Sequence, residues 1–206
     1  MTLKTFHFAG ISSMNITQGV PRVNEIINNT KNIATPIITI FLHDASKDSA
    51  VRVKNNVEKL QLSRVLHSIE EIYGLAECSL NVILDSKTMR ELQIELGAEE
   101  IKNSIDRSLK SKIKRSEIVA PNTINIIPIS KSNLMFELKT LRMKLCNVVI
   151  GGITTINRAL IGKESAERHV IYAEGLGLKK VLGTAGVDAR RSYSNHISEI
   201  EECLGV

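Results

Sequence analysis

The sequence contains no tryptophan, and aromatic residues make up only 3% of its 206 positions. A folded core must therefore be built from isoleucine, leucine and valine, within a hydrophobic content of 43% that is ordinary for a globular chain. Cysteine is also scarce. Cys78, Cys146 and Cys203 are odd in number and far apart, which excludes a Cys-x-x-Cys zinc spacing and favours free thiols in a reducing compartment. No apolar run approaches the length of a membrane span. Met1-Thr2-Leu3 leads into polar residues, so no signal-peptide pattern is visible either. Acidic residues are outnumbered, 22 against 27 Lys and Arg, giving a net charge of +5. That balance suits an anionic partner, but a mildly basic protein without one would look the same. Neither an internal repeat nor a low-complexity linker is present, and the length fits one large domain or two small ones.

The most informative stretch is the first, from Met1 to Lys31. Leu3, Phe6 and His7 share one face of a helix expected over Thr2 to Phe8. Ala9-Gly10 ends that helix, because glycine accepts left-handed C-cap geometry. Ser12, Ser13, Asn15 and Thr17 compete with the backbone for hydrogen bonds and favour turns. Pro21 then stands where a first helical residue should, its missing N–H harmless there. Val23, Ile26, Ile27 and Thr30 follow at helical spacing. The pattern is a helical hairpin with a polar tip.

Three motifs in this stretch carry a family resemblance: Thr-Phe-His-Phe-Ala-Gly (Thr5 to Gly10), Met-Asn-Ile-Thr (Met14 to Thr17) and Gly-Val-Pro-Arg (Gly19 to Arg22). In this order and spacing they resemble the trigger loop of the largest subunit of multisubunit DNA-directed RNA polymerases. Lys4, Met14-Asn15-Ile16-Thr17 and Ile26-Ile27-Asn28 are most similar to the RNA polymerase III branch, which makes small RNAs such as tRNA and 5S rRNA. The resemblance implies that Leu3 packs on the base of an incoming NTP and that His7 reaches its triphosphate beside the leaving pyrophosphate. Lys4 departs from the Asn of some branches, so its NTP contact would be made by a longer cation. Gly10 and Gly19 become hinges. Without the motif, His7 reads as a packed histidine, Leu3 as a core residue and both glycines as ordinary loop positions.

Along the rest of the chain, strands are expected over Ile37–Leu42, around Leu80–Leu84, at Ile118-Val119, over Thr123–Ile129 and at Val148–Ile150. Leu62 to Tyr73 is ambiguous: Val65, Ile69, Ile72 and Tyr73 fit a helix, while the resemblance implies mainly strand there. A pair follows over Thr155–Ile161 and Arg168–Ala173. Helices are expected after a cap at Asp48 or Ser49, over Thr88–Leu92 and Ala98–Lys110, and after a cap at Ser132 or Asn133. Two more are expected over Gly177–Leu182 and after a cap at Ser194 or Asn195. Without strict alternation the class is α+β. The resemblance divides the chain into a trigger-loop hairpin with the start of a cleft region (1–58), a jaw-like region (59–147) and a cleft return with the start of a switch element (148–206).

Near the C-terminus, Gly186-Val187-Asp188-Ala189-Arg190-Arg191-Ser192-Tyr193-Ser194-Asn195 sets vicinal arginines beside hydroxyls, a combination suited to phosphate. The resemblance implies that this segment starts a switch element near the template strand, with Arg191 at the position of the family arginine and Arg190 extra; Arg190, Arg191 and Asn195 are the expected DNA contacts. A surface arginine pair with no ligand fits the spacing equally. Lys110 to Arg115 is the densest basic run and reads first as a solvated face.

His43, His67, His169 and His196 show no ligand spacing, and no Asp-x-Asp-x-Asp cluster occurs, so no metal site is expected. The resemblance implies Mg2+ in a full enzyme, held outside this chain, which alone should be inactive. It also implies partners: template and downstream DNA, NTP and other polymerase subunits, in the nucleus and away from membranes. Two other readings stay open on sequence alone. One is a free-standing module that binds nucleic acid or protein. The other is the same segment of polymerase I, II or an archaeal enzyme.

Overall fold

A computed structural model describes residues 14, 16–44, 46–74, 77–94, 96–129, 133–163 and 168–205. The expected first hairpin helix, with Leu3, Lys4, His7 and Gly10, lies outside the described residues. The fold is α+β, and its contacts group into two units, residues 1–59 with 152–206 and residues 60–151.

The first described helix of the first unit is α1 (Val20–Ile27), where the second arm of the hairpin was expected, with proline in its first turn. Gly19 precedes it at φ +75, a left-handed value that glycine reaches without a Cβ penalty. α1 buries none of its residues, and Val20, Val23, Ile26 and Ile27 are exposed. The strand β1 (Ile37–Ile40) is buried at every position, which is why its sequence is a continuous β-branched run rather than an alternating one. It stops two residues short of the expected Leu42, which instead forms an isolated bridge with Val187.

Helix α2 (Lys47–Val57) buries Ala50, Val53 and Val57. Its cap is Ser46, not Asp48 or Ser49: the Ser46 hydroxyl accepts from the Ser49 amide at 3.3 Å. The Asp44 carboxylate fixes this turn by accepting from the Ser46 and Ser49 hydroxyls at 2.9 and 2.8 Å. Those hydroxyls hold the Asp44 carboxyl below its ordinary range. Replacing Ser46 by alanine should cost about 1 kcal/mol of unfolding free energy, measured by denaturant titration followed by circular dichroism.

In the second unit, β2 (Leu60–Gln61) leads through a single 3-10 turn at Leu62–Arg64 into β3 (Leu66–Tyr73). Then come β4 (Cys78–Leu84), α3 (Ser86–Glu91) and α4 (Ala98–Leu109). The unit is completed by β5 (Ile113–Ala120), β6 (Thr123–Pro128), α5 (Leu134–Cys146) and β7 (Val149–Gly151). Four antiparallel strands run in the order β3-β4-β6-β5, and β2 pairs with β7. β4 alternates strictly between buried and half-buried residues. One sheet face therefore meets Ile101 and Ile105 of α4 and Leu138, Leu141 and Leu145 of α5 in an aliphatic core. Each such side chain contributes about 1.5–3 kcal/mol on burial. On β4 and β6, the Asn125 amide also donates to Ser79 Oγ at 3.0 Å and Asn81 Oδ1 at 2.7 Å.

The ambiguous Leu62–Tyr73 segment is thus mostly strand. β5 begins well before the expected Ile118, because Ile113 and Arg115 of the basic run, and Ser116 after it, pair with β6. Lys114 and Arg115 on this edge strand form ion pairs with Glu77 and Glu117.

Returning to the first unit, β8 (Ile156–Lys163) and β9 (His169–Gly175) pair antiparallel, with β8 continuing past the expected Ile161. α6 (Leu178–Leu182), β10 (Tyr193–Ser194) and α7 (Ile197–Leu204) finish the chain. The sheet order is β10-β1-β9-β8. Ile38, Ile40 and Ile171 join Val53, Val57, Leu178 and Val181 in one core. Ile37 packs instead with Met14, Ile16, Leu160 and Tyr172, so the residues leading into α1 are tied to the sheet.

Candidate functional site

The site grows from a single antiparallel register, in which Ile38 and Thr39 of β1 face Ser194 and Tyr193 of β10. This pairing brings the Asp188–His196 segment against the end of β1 and against the chain that precedes it. The Asp188 amide donates to the Phe41 carbonyl at 2.8 Å, and the Phe41 amide donates to Ser192 Oγ at 3.0 Å. Ser192 Oγ in turn donates to the Asp188 carbonyl at 2.7 Å. The arginine loop is therefore closed on itself and stitched to β1. Asp188 Oδ1 accepts from the Arg190 amide at 3.1 Å.

On this loop Arg190 and Arg191 are both exposed. The Arg191 guanidinium carbon lies 4.4 Å from the centroid of the Phe41 ring, a cation–π contact that aims the side chain. Phe41, His43, Arg168, His169, Asp188 and Arg191 line a cavity of about 200 Å³. Two guanidinium groups against one carboxylate make it electropositive, with donors suited to a phosphate oxygen. Arg190 projects from the same turn.

Asn195, grouped by sequence with the arginines, is engaged by the protein itself. Its Oδ1 accepts from the Ile37 amide at 2.8 Å and its Nδ2 donates to the Thr35 carbonyl at 2.9 Å. The Asn195 carbonyl accepts from Arg22 of α1. Arg22 also pairs with Glu25 at 2.9 Å. Arg22 and the Ala34 amide hold the Glu25 carboxyl below its ordinary value. The contribution of this depressed group is present above the carboxylate's unfolded value and is lost as pH falls through its folded one.

The cap of α7 is His196, not Ser194 or Asn195. His196 is 4% exposed. Its Nδ1 accepts from the Glu199 amide at 3.3 Å while its Nε2 lies 2.8 Å from the Lys31 carbonyl. A backbone amide can only donate and a carbonyl can only accept, so the Nε2–H tautomer satisfies both. Ser194 Oγ is occupied in accepting from the His196 amide at 3.1 Å. Asn195 and His196 thus hold positions 31, 35 and 37, while Arg22 holds α1 to the same segment. Gly19 sits at the mouth of this anchored base.

Sequence reasoning missed Arg22, Arg168, His169, His43 and His196. Arg22 and His196 each have one partner more than a hundred positions away in the chain, which no local spacing announces. The one available signal was the alternation of polar residues in Ser192-Tyr193-Ser194-Asn195, readable as a short strand. Among the described residues no group of three or more His, Cys, Asp or Glu side chains converges as metal ligands would. None of the described helices is long and apolar enough to cross a membrane.

Comparison with known proteins gives the family. The chain belongs to the family described as RNA polymerase Rpb1, domain 5, which matches residues 1–206. Among relatives, it is 39% identical over 213 residues to the DNA-directed RNA polymerase III subunit rpc1 of Dictyostelium discoideum, covering 100% of this chain and 15% of that protein. It is 39% identical over 214 residues to the DNA-directed RNA polymerase III subunit RPC1 of Homo sapiens, again 100% and 15%. For the Saccharomyces cerevisiae RPC1 protein the values are 37% over 225 residues, 100% and 15%. The chain spans about 15% of the length of these relatives.

Proposed function

We propose that this chain is the trigger-loop, jaw and cleft segment of the largest subunit of a DNA-directed RNA polymerase of the polymerase III branch, acting within an assembled nuclear enzyme. The observation that carries this reading is the family match across all 206 residues together with full-chain identity to RPC1 proteins. The anchored base of α1 supports it as well: a hairpin that must move at its tip needs a fixed root. The exposed Val20, Val23, Ile26 and Ile27 of α1 then face parts of the polymerase beyond these residues.

Nucleotide addition is phosphoryl transfer, in which positioning and electrostatic stabilisation supply most of the rate. In this reading the hairpin closes over a bound NTP, orienting it and excluding water. Leu3 packs on the base, Lys4 reaches the sugar and phosphates, and His7 places positive charge or a proton on the leaving pyrophosphate. Gly10 and Gly19 allow the tip to swing. The magnesium chemistry belongs to residues of the polymerase outside this chain, so the 206 residues alone are inactive. Residues 60–151 act as the jaw beside downstream DNA. Arg190 and Arg191 take backbone phosphates, and Asn195 serves DNA by fixing the loop that carries them.

Tagging the full-length protein in its own cells tests the assignment. The tag should co-purify with the other RNA polymerase III subunits and with template-dependent RNA synthesis. Recovery without polymerase subunits or synthesis contradicts it. Within that enzyme, Arg190→Ala and Arg191→Ala should each weaken DNA binding regardless of sequence and lower the slope of log affinity against log salt by about 1. Fluorescence anisotropy across a salt series measures this, and an unchanged slope removes the arginine concerned from phosphate contact.

A further inference from the structure

In the 60–151 unit, one helix face is apolar and uncovered. On α5, Phe136 is 68% exposed and Met143 65% exposed. Large apolar side chains left open together mark interaction surfaces, and Met adapts its shape to a partner. Beside them lies a cavity of about 190 Å³ between α5, the end of β6 and the turn before β5. Its walls include Phe136, Pro128, Ile129 and Leu141, with Lys112 and Glu137 among its polar members.

The charges are arranged along this groove. Phe136, Thr140 and Lys144 follow at four-residue spacing, so Lys144 continues the wall that Phe136 begins. Across the groove Lys112 shares the lining with Thr140, four residues before the exposed Lys144, and Lys144 holds the Lys112 ammonium below its ordinary value. Two like charges brought together repel each other unless an anion lies between them. Lys110 is exposed on the adjoining turn. Glu137 stands beside Phe136, about two helical turns from Lys144, so it disfavours an anion at the apolar end and leaves the lysine end for one.

We propose that this groove docks an acidic peptide segment of another protein, with one apolar side chain seated beside Phe136 and a carboxylate between Lys112 and Lys144. From Phe136 to Lys144 the helix advances about 12 Å, at roughly 1.5 Å per residue. An extended peptide covers that distance in about four residues, at roughly 3.3 Å each, which sets the spacing of the two anchors. A nucleic-acid strand fits less well, because its phosphates would meet Glu137 and would leave the walls of Pro128, Ile129 and Leu141 unused. The inference does not depend on the polymerase assignment.

The test is photo-crosslinking of the full-length protein in its own cells, with benzoylphenylalanine in place of Phe136 and the captured peptide mapped by mass spectrometry. The expected product is a segment of another protein carrying an apolar residue and Asp or Glu about four positions apart. Its yield should fall at least fivefold in K112E/K144E and in the milder K112Q/K144Q, while K87E, on the exposed surface of α3, leaves it unchanged. In lysate, raising salt from about 50 to 300 mM should lower the yield at least threefold, as a charge-assisted contact requires. Capture of nucleic acid, of this chain alone, of a segment without acidic residues, or of nothing overturns the proposal. So does a yield indifferent to both lysines and to salt.

Discussion

With His7 replaced by alanine, nucleotide addition by the assembled polymerase is expected to slow about a hundredfold or more, the scale of losing a positioned acid or cation in the transition state. The residue stands in Thr5 to Gly10, one of the three motifs that carry the family resemblance, and in the proposed mechanism it acts only once the hairpin has closed. The loss should therefore fall on the single-turnover rate at saturating NTP, with a smaller change in apparent NTP affinity. Rapid-quench measurement separates the two. His7→Gln distinguishes the two roles, because an amide can still donate a hydrogen bond but cannot deliver a proton. Partial rescue means positioning, and none means proton transfer. His67→Ala, on the exposed side of β3, should leave the rate unchanged. Undiminished elongation by the His7→Ala enzyme removes this histidine from the mechanism.

Among the described glycines whose surroundings are known, Gly152→Ala should be the most disruptive single-methyl change. Gly152 has φ +74, and a Cβ there would lie 1.9 Å from the Glu58 carbonyl oxygen and 2.6 Å from its carbon. Both are backbone atoms at the end of α2, so no side chain can rotate away to make room. Left-handed strain and forced backbone movement together should cost about 3 kcal/mol or more. For a chain of this size that lowers Tm by about 10 °C. Far-UV circular dichroism reads the transition. Gly183→Ala is the control: its φ is −82 and its nearest neighbours are 3.6 and 3.7 Å away. A Gly152→Ala protein as stable as this control would contradict the geometry.

Much of the fold was legible because apolar spacing survives in single elements. Leu80, Val82 and Leu84 declare β4, and Ile101, Ile105 and Leu109 declare α4. Caps were less legible, since Ser46, Asp48 and Ser49 are all competent N-caps. The choice went to Ser46 through the Asp44 carboxylate, which organises the hydroxyls around it. His196 caps α7 because Ser194 and Asn195 were already committed elsewhere, a competition that no local pattern records. β5 was obscured by its own charge: edge strands carry lysine and arginine that blunt the edge, and the same residues read as a solvated basic face. At the candidate site the arginines were readable from composition. The roles of Arg22, Asn195 and His196 rest on pairings that exist only once β10 lies beside β1.

The central claim is that the first residues of this chain close onto an incoming nucleotide. A photoreactive NTP bearing its probe on the base, bound to the assembled polymerase on a template offering the complementary base, tests this most directly. The account predicts a covalent adduct within residues 1–10, centred on Leu3 and abolished when the template base no longer matches. Adducts confined to other parts of the polymerase, or formed equally on either template, would contradict it.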